Sequence, residues 1–144
     1  MGKSLKKQPN WQSELASFIE LKRSEPFNYG TLDCALLTCD AIEVITGVDV
    51  AEEYRGTYSS QSEALEIMEE NGGILGIGES ICERYRLEKI EPNFVGRGDP
   101  VVIRIKNQDT FGIISTCGRA VIVATPNGIG FAPKKHIVSA WRIA

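Results

Sequence analysis

Histidine and closely paired cysteines are scarce in this chain. Its 144 residues include one histidine, His136, and four cysteines with no Cys-x-x-Cys spacing. Without such pairs a zinc knuckle or a thioredoxin-type redox site is not expected, and we predict neither a metal nor a cofactor. We expect the cysteines to stay reduced, with Cys39, Cys82 and Cys117 as small buried apolar residues.

Long apolar runs and a strong charge imbalance are also missing. No apolar run approaches the ~20 residues that span a bilayer, and the N-terminus has no apolar signal-peptide core. The net charge of -3 gives no general reason to expect nucleic-acid binding. We therefore predict no membrane span, no nucleic-acid partner and no export by a signal peptide.

The length and the start of the chain predict its domain organisation. A chain of 144 residues is the size of one domain with a single core. The basic residues Lys3, Lys6 and Lys7 predict a flexible basic tail over residues 1–9, followed by a single domain over residues 10–144. The alternative is an arm that docks on a partner.

The order of the elements predicts an α+β domain. Apolar residues at helical spacing follow Asn10, and an apolar helix is predicted over Leu32–Thr46, ended by Gly47. Ser60 and Glu63 form a capping box for a third helix. A short helix or turn is predicted over 74–85, with hairpin turns at Asn107-Gln108-Asp109 and Asn127-Gly128. Strands are predicted over 86–90, 101–105, 111–115, 120–124, 129–132 and 138–143. This order predicts N-terminal helices packed on a C-terminal antiparallel β-sheet of about five to six strands.

The most informative stretch is Pro26-Phe27-Asn28-Tyr29-Gly30-Thr31-Leu32-Asp33-Cys34. It places a thiol one residue after an acid, at the start of the apolar helix. The positive end of a helix dipole favours a thiolate there, and this is how cysteine hydrolases prepare a nucleophile. Cys34 is therefore the candidate catalytic residue, and the alternative is a relic that packs beneath the preceding loop.

Four short motifs follow one another between residues 26 and 125. They are the Pro26-Phe27-Asn28-Tyr29-Gly30 loop, the Asp33-Cys34 pair, Gly98-Asp99 before Val101-Val102-Ile103, and Phe111-Gly112-Ile113-Ile114. Together they resemble the papain-like cysteine hydrolases of the NlpC type, which are cell-wall amidases and endopeptidases. The resemblance implies a papain-like NlpC-type core, with Cys34 at the position of the nucleophile.

Further segments extend the similarity to the whole chain. They are Trp11 with Phe18-Ile19, Thr46-Gly47-Val48-Asp49, Tyr54-Arg55-Gly56-Thr57-Tyr58 and Ala140-Trp141-Arg142. The chain is similar in these places to a group of small bacteriophage proteins that are encoded among tail genes, beside tail-tip hub proteins. The resemblance implies phage tail-tip or hub proteins as partners and the virion tail as location, with assembly in the host cytoplasm.

The chain departs from the hydrolase pattern at the residues that carry the chemistry. Nucleophilic cysteine catalysis needs a base that accepts the thiol proton. The resemblance places that base, a histidine in the family, at Thr110, and the residue that orients it near Val123; a loop tyrosine is replaced by Phe27. His136 lies beyond the strand meander in a basic segment, which favours an exposed loop histidine over a displaced base.

These departures favour a non-catalytic protein on a degenerate cysteine-peptidase fold. We expect a structural component of a phage tail tip or tail assembly. One alternative is an active peptidoglycan amidase or endopeptidase with Cys34 as nucleophile, which would contact the host cell wall transiently. Another alternative is a peptide-binding adaptor or inhibitor.

Tyr54, Arg55 and Tyr58 form a candidate docking surface, because Tyr and Arg are favoured at interface cores. The other interpretation of this segment is a loop that covers the cleft.

Overall fold

The computed structural model describes residues 5–28 and 33–144. The described residues form an α+β domain in which helices come first and the sheet follows. The helices are α1 (Trp11–Lys22), α2 (Cys34–Thr46), α3 (Gln61–Glu70) and α4 (Gly73–Arg84). The strands are β1 (Glu88–Ile90), β2 (Pro100–Ile105), β3 (Gln108–Ile114), β4 (Ala120–Thr125), β5 (Gly128–Pro133) and β6 (Ile137–Arg142). The order of elements predicted from the sequence is thus confirmed.

Capping residues determine where α2 and α3 begin and end. The Asp33 side chain caps α2 by accepting hydrogen bonds from the Ala35 and Leu36 amides, and Gly47, at φ 81°, ends the helix in the left-handed conformation. Ser60 caps α3 by accepting a bond from the Glu63 amide, so the predicted capping box is confirmed. The predicted start of α2 at Leu32 lies outside the described residues.

Helix α4 is a full helix over twelve residues, although its glycines predicted only a short helix or turn. The reason is close packing against the sheet. A Cβ on Gly78 would lie 3.3 Å from Val102 Cγ2 and 3.6 Å from Phe111 Cε1. Glycine therefore lets α4 approach β2 and β3, and the apolar area buried there offsets its low helix propensity.

The six strands form one antiparallel sheet in the order β1-β6-β2-β3-β4-β5. The β2–β3 hairpin turns at Lys106 and Asn107, which have φ 52° and 64°, as a two-residue hairpin turn requires. The turn predicted over Asn107-Gln108-Asp109 is therefore wrong by about one residue, because Gln108 pairs with Ile105 and already belongs to β3.

Side chains on the two faces of the sheet belong to two separate clusters. Val102, Phe111 and Ile113 pack into the cluster that the helices cover. Their neighbours Val101, Ile103 and Ile114 belong to a second cluster, and because successive strand residues point to opposite faces, this cluster lies on the face away from α2. A strand residue that belongs to one of these clusters can thus be assigned to the helix side or to the far side of the sheet.

Residues 5–9 are not a flexible tail, which corrects the prediction for residues 1–9. Leu5 is only 3% exposed, the Lys7 amide donates to the Ala144 carbonyl at 2.9 Å, and the Gln8 amide donates to the Ile45 carbonyl at 2.8 Å. The basic residues drew attention to solvent exposure, while the apolar Leu5 between them fixes the segment in the core. The domain therefore begins before residue 10, and residues 1–4 lie outside the described residues.

Leu5→Ala is expected to lower the free energy of unfolding by about 2 kcal/mol, as expected for truncating a buried leucine. Chemical denaturation with urea measures the change, and the exposed neighbour variant Lys6→Ala is the control, with an effect below about 0.5 kcal/mol. Equal effects of the two variants would restore the interpretation of this segment as a frayed tail.

Within the described residues, no helix is both long enough and apolar enough to cross a membrane.

Candidate functional site

The candidate nucleophile Cys34 is the first residue of α2. It is half-buried and not in a disulfide. The helix packs against β3, and a hydrogen bond from the Phe111 amide is among the interactions that act on the thiol. The structure therefore places the thiol at the head of a covered helix, beside the middle of β3.

The environment of Cys34 opposes ionisation. Burial, and then the negative charge of Asp33, raise the pKa of the Cys34 thiol to about 12, although nearby backbone amides act to lower it. Desolvation thus outweighs the helix-terminus effect that favours a thiolate. The thiol is protonated at neutral pH.

Asp33 has a structural role, because both of its carboxylate oxygens accept hydrogen bonds from other residues of the domain. It is 3% exposed, and its Oδ1 accepts from the Ala35 amide at 3.1 Å and the Leu36 amide at 2.9 Å. Its Oδ2 accepts a hydrogen bond from the Tyr58 hydroxyl. Burial, and then this hydrogen bond to Asp33, raise the pKa of Tyr58. Asp33 therefore joins the start of α2 to the segment that precedes α3.

Thr110 and Val123 do not face the thiol. Thr110 pairs with Ile103 in β2, and both Ile103 and Val123 belong to the cluster on the face away from the helices. Phe111, not Thr110, points toward α2. The positions taken as equivalent to the base and its orienting residue are therefore on the opposite side of the sheet from Cys34, while Phe27 packs at the edge of the helix-side core.

His136 is also separated from Cys34. It lies in a short 3₁₀ turn that leads into β6, and β2 separates β6 from β3, the strand beside Cys34. In the part of the chain that the structure describes, no hydrogen bond joins His136 to Cys34. No imidazole is thus in place to accept the thiol proton.

Tyr54, Arg55 and Tyr58, predicted as a docking surface, are half-buried and contact their own domain. Arg55 Nε donates to Asp49 Oδ2 at 2.8 Å and Arg55 Nη2 donates to Asp40 Oδ1. Tyr58 bonds Asp33, and Tyr54 packs against the helix-side core. Residues 49–59 therefore form a cover over α2 through these side chains, which is the other interpretation considered for this segment. The sequence shows the residue types but not their partners.

The two carboxylates that hold Arg55 respond to it differently. Burial raises the pKa of Asp40, whereas the hydrogen bond from Arg55 lowers the pKa of Asp49. The stabilisation from Asp49 is present above its unfolded value near ~4 and is lost as the pH falls through its lower folded pKa. Burial makes the ionised form of Asp40 unfavourable in the folded protein, and the neighbouring charge of Arg55 offsets part of this desolvation cost.

Arg55→Ala is therefore expected to lower the free energy of unfolding by about 1–2 kcal/mol at pH 7. The loss becomes progressively smaller as the pH falls below about 4, since Asp40 and then, at lower pH, Asp49 become protonated. Urea denaturation at pH 7 and pH 3.5 measures this. Arg84→Ala is the matched control, because its 2.8 Å ion pair with Glu53 is exposed and is worth about 0–1 kcal/mol. A loss that does not change with pH would contradict the assigned partners.

The four cysteines fall into three environments. Cys39 and Cys82 are buried, as predicted, whereas Cys117 is exposed. The prediction that Cys117 is buried is wrong because it lies in the turn between β3 and β4, where its Sγ is 3.1 Å from Ser115 Oγ. The hydrogen bond from Ser115 lowers the pKa of Cys117, so we expect this exposed thiol to be the most reactive of the four.

A cavity of about 40 Å³ lies between α2, α3, α4 and the 49–59 segment, and we call it the α2–α4 cavity. Its walls are almost entirely apolar, with Cys34, Asp33 and Tyr58 near one another in the lining. The remaining lining residues are Ala35, Leu36, Cys39, Ala51, Tyr54, Ala64, Ile67, Met68, Ile74, Ile77 and Ile81. Sequence reasoning missed this cavity because it is formed by packing between four segments.

No cluster of His, Cys, Asp or Glu side chains within residues 5–28 and 33–144 is arranged to hold a metal ion.

Comparison with known proteins identifies the family of the chain. The model of a domain of unknown function, DUF6950, matches residues 6–143, so the chain belongs to this family. No curated protein matches the chain.

Proposed function

We propose that this DUF6950 domain is a non-catalytic structural component of a bacteriophage tail tip or tail assembly, built on a papain-like NlpC-type core. The observation that carries the non-catalytic part of the proposal is the state of Cys34: the residue is half-buried, the pKa of its thiol is raised to about 12, mainly by burial, and no hydrogen bond joins it to His136 among the described residues. In this proposal Cys34 occupies the position of the nucleophile, but no neighbouring base accepts its proton.

The arrangement of elements supports the NlpC-type core. The helix headed by Asp33-Cys34 packs against β3, the strand that contains Phe111-Gly112-Ile113-Ile114. The Gly98-Asp99 turn leads into β2, the neighbouring strand. Motifs that are distant in the sequence and resemble the hydrolases therefore meet around one helix and one hairpin.

The chemistry supports a non-catalytic role. Attack on an amide carbonyl requires loss of the thiol proton and its later return to the leaving amine. With a pKa of about 12, only about one Cys34 thiol in 10⁵ is ionised at pH 7, and Asp33 is engaged in capping α2. The alternative of an active peptidoglycan amidase would need a base that the described residues do not place beside the thiol.

The proposed role makes other tail-tip or hub proteins the partners. It places the protein in the virion tail, after assembly in the host cytoplasm, with at most transient contact with host peptidoglycan.

Complementation of a phage that lacks the gene tests the role. We expect the wild-type protein to be found in purified particles by mass spectrometry and to restore plaque formation, and Cys34→Ala to do both equally well. Cys117→Ala is the matched control for loss of a thiol. Particles that contain Cys34→Ala but do not infect would favour catalysis, and absence of the wild-type protein from particles would contradict a structural role.

A further inference from the structure

The α2–α4 cavity is accessible from the surface. Ile67, Met68, Tyr54 and Tyr58 line it and are only half-buried, so these four side chains form its rim. The interior wall is formed by isoleucines of α4, with Ala51 and Ala64 leaving room for an occupant.

The volume of the cavity sets the size of what fits. A cavity needs ~10–15 Å³ to hold one water-sized group, so 40 Å³ accommodates about three such groups. The few carbon atoms of a valine, leucine or isoleucine side chain match this number. The apolar walls offer little hydrogen bonding to water, which favours an aliphatic occupant.

The charge around the rim is strongly negative. Arg55 is the single basic residue between Arg23 and Arg84, a stretch that contains most of the 19 acidic residues of the chain, and Arg55 is itself neutralised by Asp40 and Asp49. This asymmetry in the sequence was not recognised from the near-neutral net charge.

Helix α3 places acids beside the rim. Glu63 and Glu70 are the i−4 and i+3 neighbours of Ile67 and therefore flank it on the helix surface. Glu66, Glu69 and Glu70 are exposed, and none of them has an ion-pair partner among the described residues. An apolar cavity bordered by unpaired acids is complementary to an aliphatic side chain with basic neighbours.

We propose that the α2–α4 cavity receives one branched aliphatic side chain from a Lys- and Arg-rich segment of the tail protein that this domain contacts. The inference rests on the proposed function, because the segment is held at the former nucleophile position without being cleaved. Burial of the aliphatic side chain supplies affinity, and the acids of α3 select the basic flanks.

Selection from a peptide library tests the preference. Capped heptapeptides of random sequence without cysteine are passed over immobilised wild-type protein at 50 mM NaCl, and the retained peptides are sequenced by mass spectrometry. We expect enrichment of Leu, Ile or Val at one position, with Lys or Arg within two residues of it. Absence of enrichment, or enrichment of basic peptides without an aliphatic residue, would overturn the proposal.

Variants then separate the cavity from the acidic rim, with an enriched peptide as the probe in calorimetric titrations. Ala64→Leu fills the cavity and is expected to weaken binding roughly 10- to 100-fold; Ala51→Val is the second filling variant if Ala64→Leu does not fold. The double variant Glu66→Lys with Glu70→Lys is expected to weaken binding about 3- to 10-fold at 50 mM NaCl and less at 300 mM. Glu88→Lys on β1 makes the same kind of charge change away from the cavity and is expected to leave binding unchanged.

The remaining outcomes distinguish this proposal from its alternatives. Unchanged binding by a folded filling variant would overturn it. Self-association of the wild-type protein in sedimentation, lost in Ala64→Leu, would identify a second copy as the occupant and overturn the choice of a different protein. Cleavage of the bound peptide, lost in Cys34→Ala, would contradict the proposed function while leaving the size and charge preference of the cavity intact.

Discussion

Asp33→Ala is expected to lower the free energy of unfolding by about 2–4 kcal/mol. The variant removes the cap of the central helix, which is worth about 0.5–2 kcal/mol. It also leaves the Tyr58 hydroxyl without the acceptor it has in the wild type, and a buried group without its partner costs about 1–3 kcal/mol. Urea denaturation followed by circular dichroism measures the loss.

The chain provides a matched control for this prediction. Ser60 caps α3 through the Glu63 amide, and that bond is exposed. Ser60→Ala is therefore expected to cost about 1 kcal/mol or less. Asp33→Asn, which keeps an acceptor oxygen, is expected to fall between the two. An effect of Asp33→Ala no larger than that of Ser60→Ala would show that Asp33 is not a structural residue and would reopen a catalytic role.

Gly112→Ala is expected to destabilise the domain by about 3 kcal/mol or more, at the upper end for overpacking. A Cβ at this position would lie 2.5 Å from Val121 Cγ1, 3.0 Å from Val123 Cγ1 and 3.0 Å from the Ile122 carbonyl oxygen. The neighbouring strand β4 must move for the methyl group to fit. Thermal unfolding and the yield of soluble protein both report the effect.

Gly130→Ala in β5 is the control for Gly112→Ala. Its Cβ would meet the end of the Thr125 side chain at 3.1 Å, with no other heavy atom closer than 3.9 Å. We expect a loss of about 1 kcal/mol, since only one side-chain contact is tight at this position, whereas Gly112 meets three atoms at 3.0 Å or less. If both glycine variants behave alike, Gly112 is not kept for packing. If they differ as expected, close packing against β4 explains the glycine of the Phe111-Gly112 motif without any role in catalysis.

The ends of the helices were predictable from the sequence where a single residue and its nearest neighbours determine them. Gly47 ends α2 because it adopts a positive φ, and Ser60 starts α3 because its hydroxyl accepts an orphan amide bond. Both effects depend on a few neighbouring residues. The same local logic failed at Lys106 and Asn107, since the choice between neighbouring turn positions is decided by strand pairing.

The site was less predictable because its features depend on packing. The strand β3 was predictable, but which of its faces meets α2 is determined by the helices that cover Phe111. The resemblance therefore placed Thr110 at the position of the base although its side chain is on the other face. The partners of Arg55 lie six and fifteen residues away, and no local pattern pairs them. The helix dipole at Cys34 was predictable, whereas the burial that outweighs it required the fold.

The central claim is that Cys34 is a protonated thiol without a base. Its most direct test is the pH dependence of iodoacetamide labelling of native protein, with Cys34 and Cys117 resolved by peptide mass spectrometry. We predict no inflection in Cys34 labelling between pH 6 and pH 9 (about three units below the raised pKa at the upper limit), and labelling of Cys117 at least about 100-fold faster at pH 7.5. An inflection for Cys34 below pH 8 that is lost in His136→Ala would contradict the account.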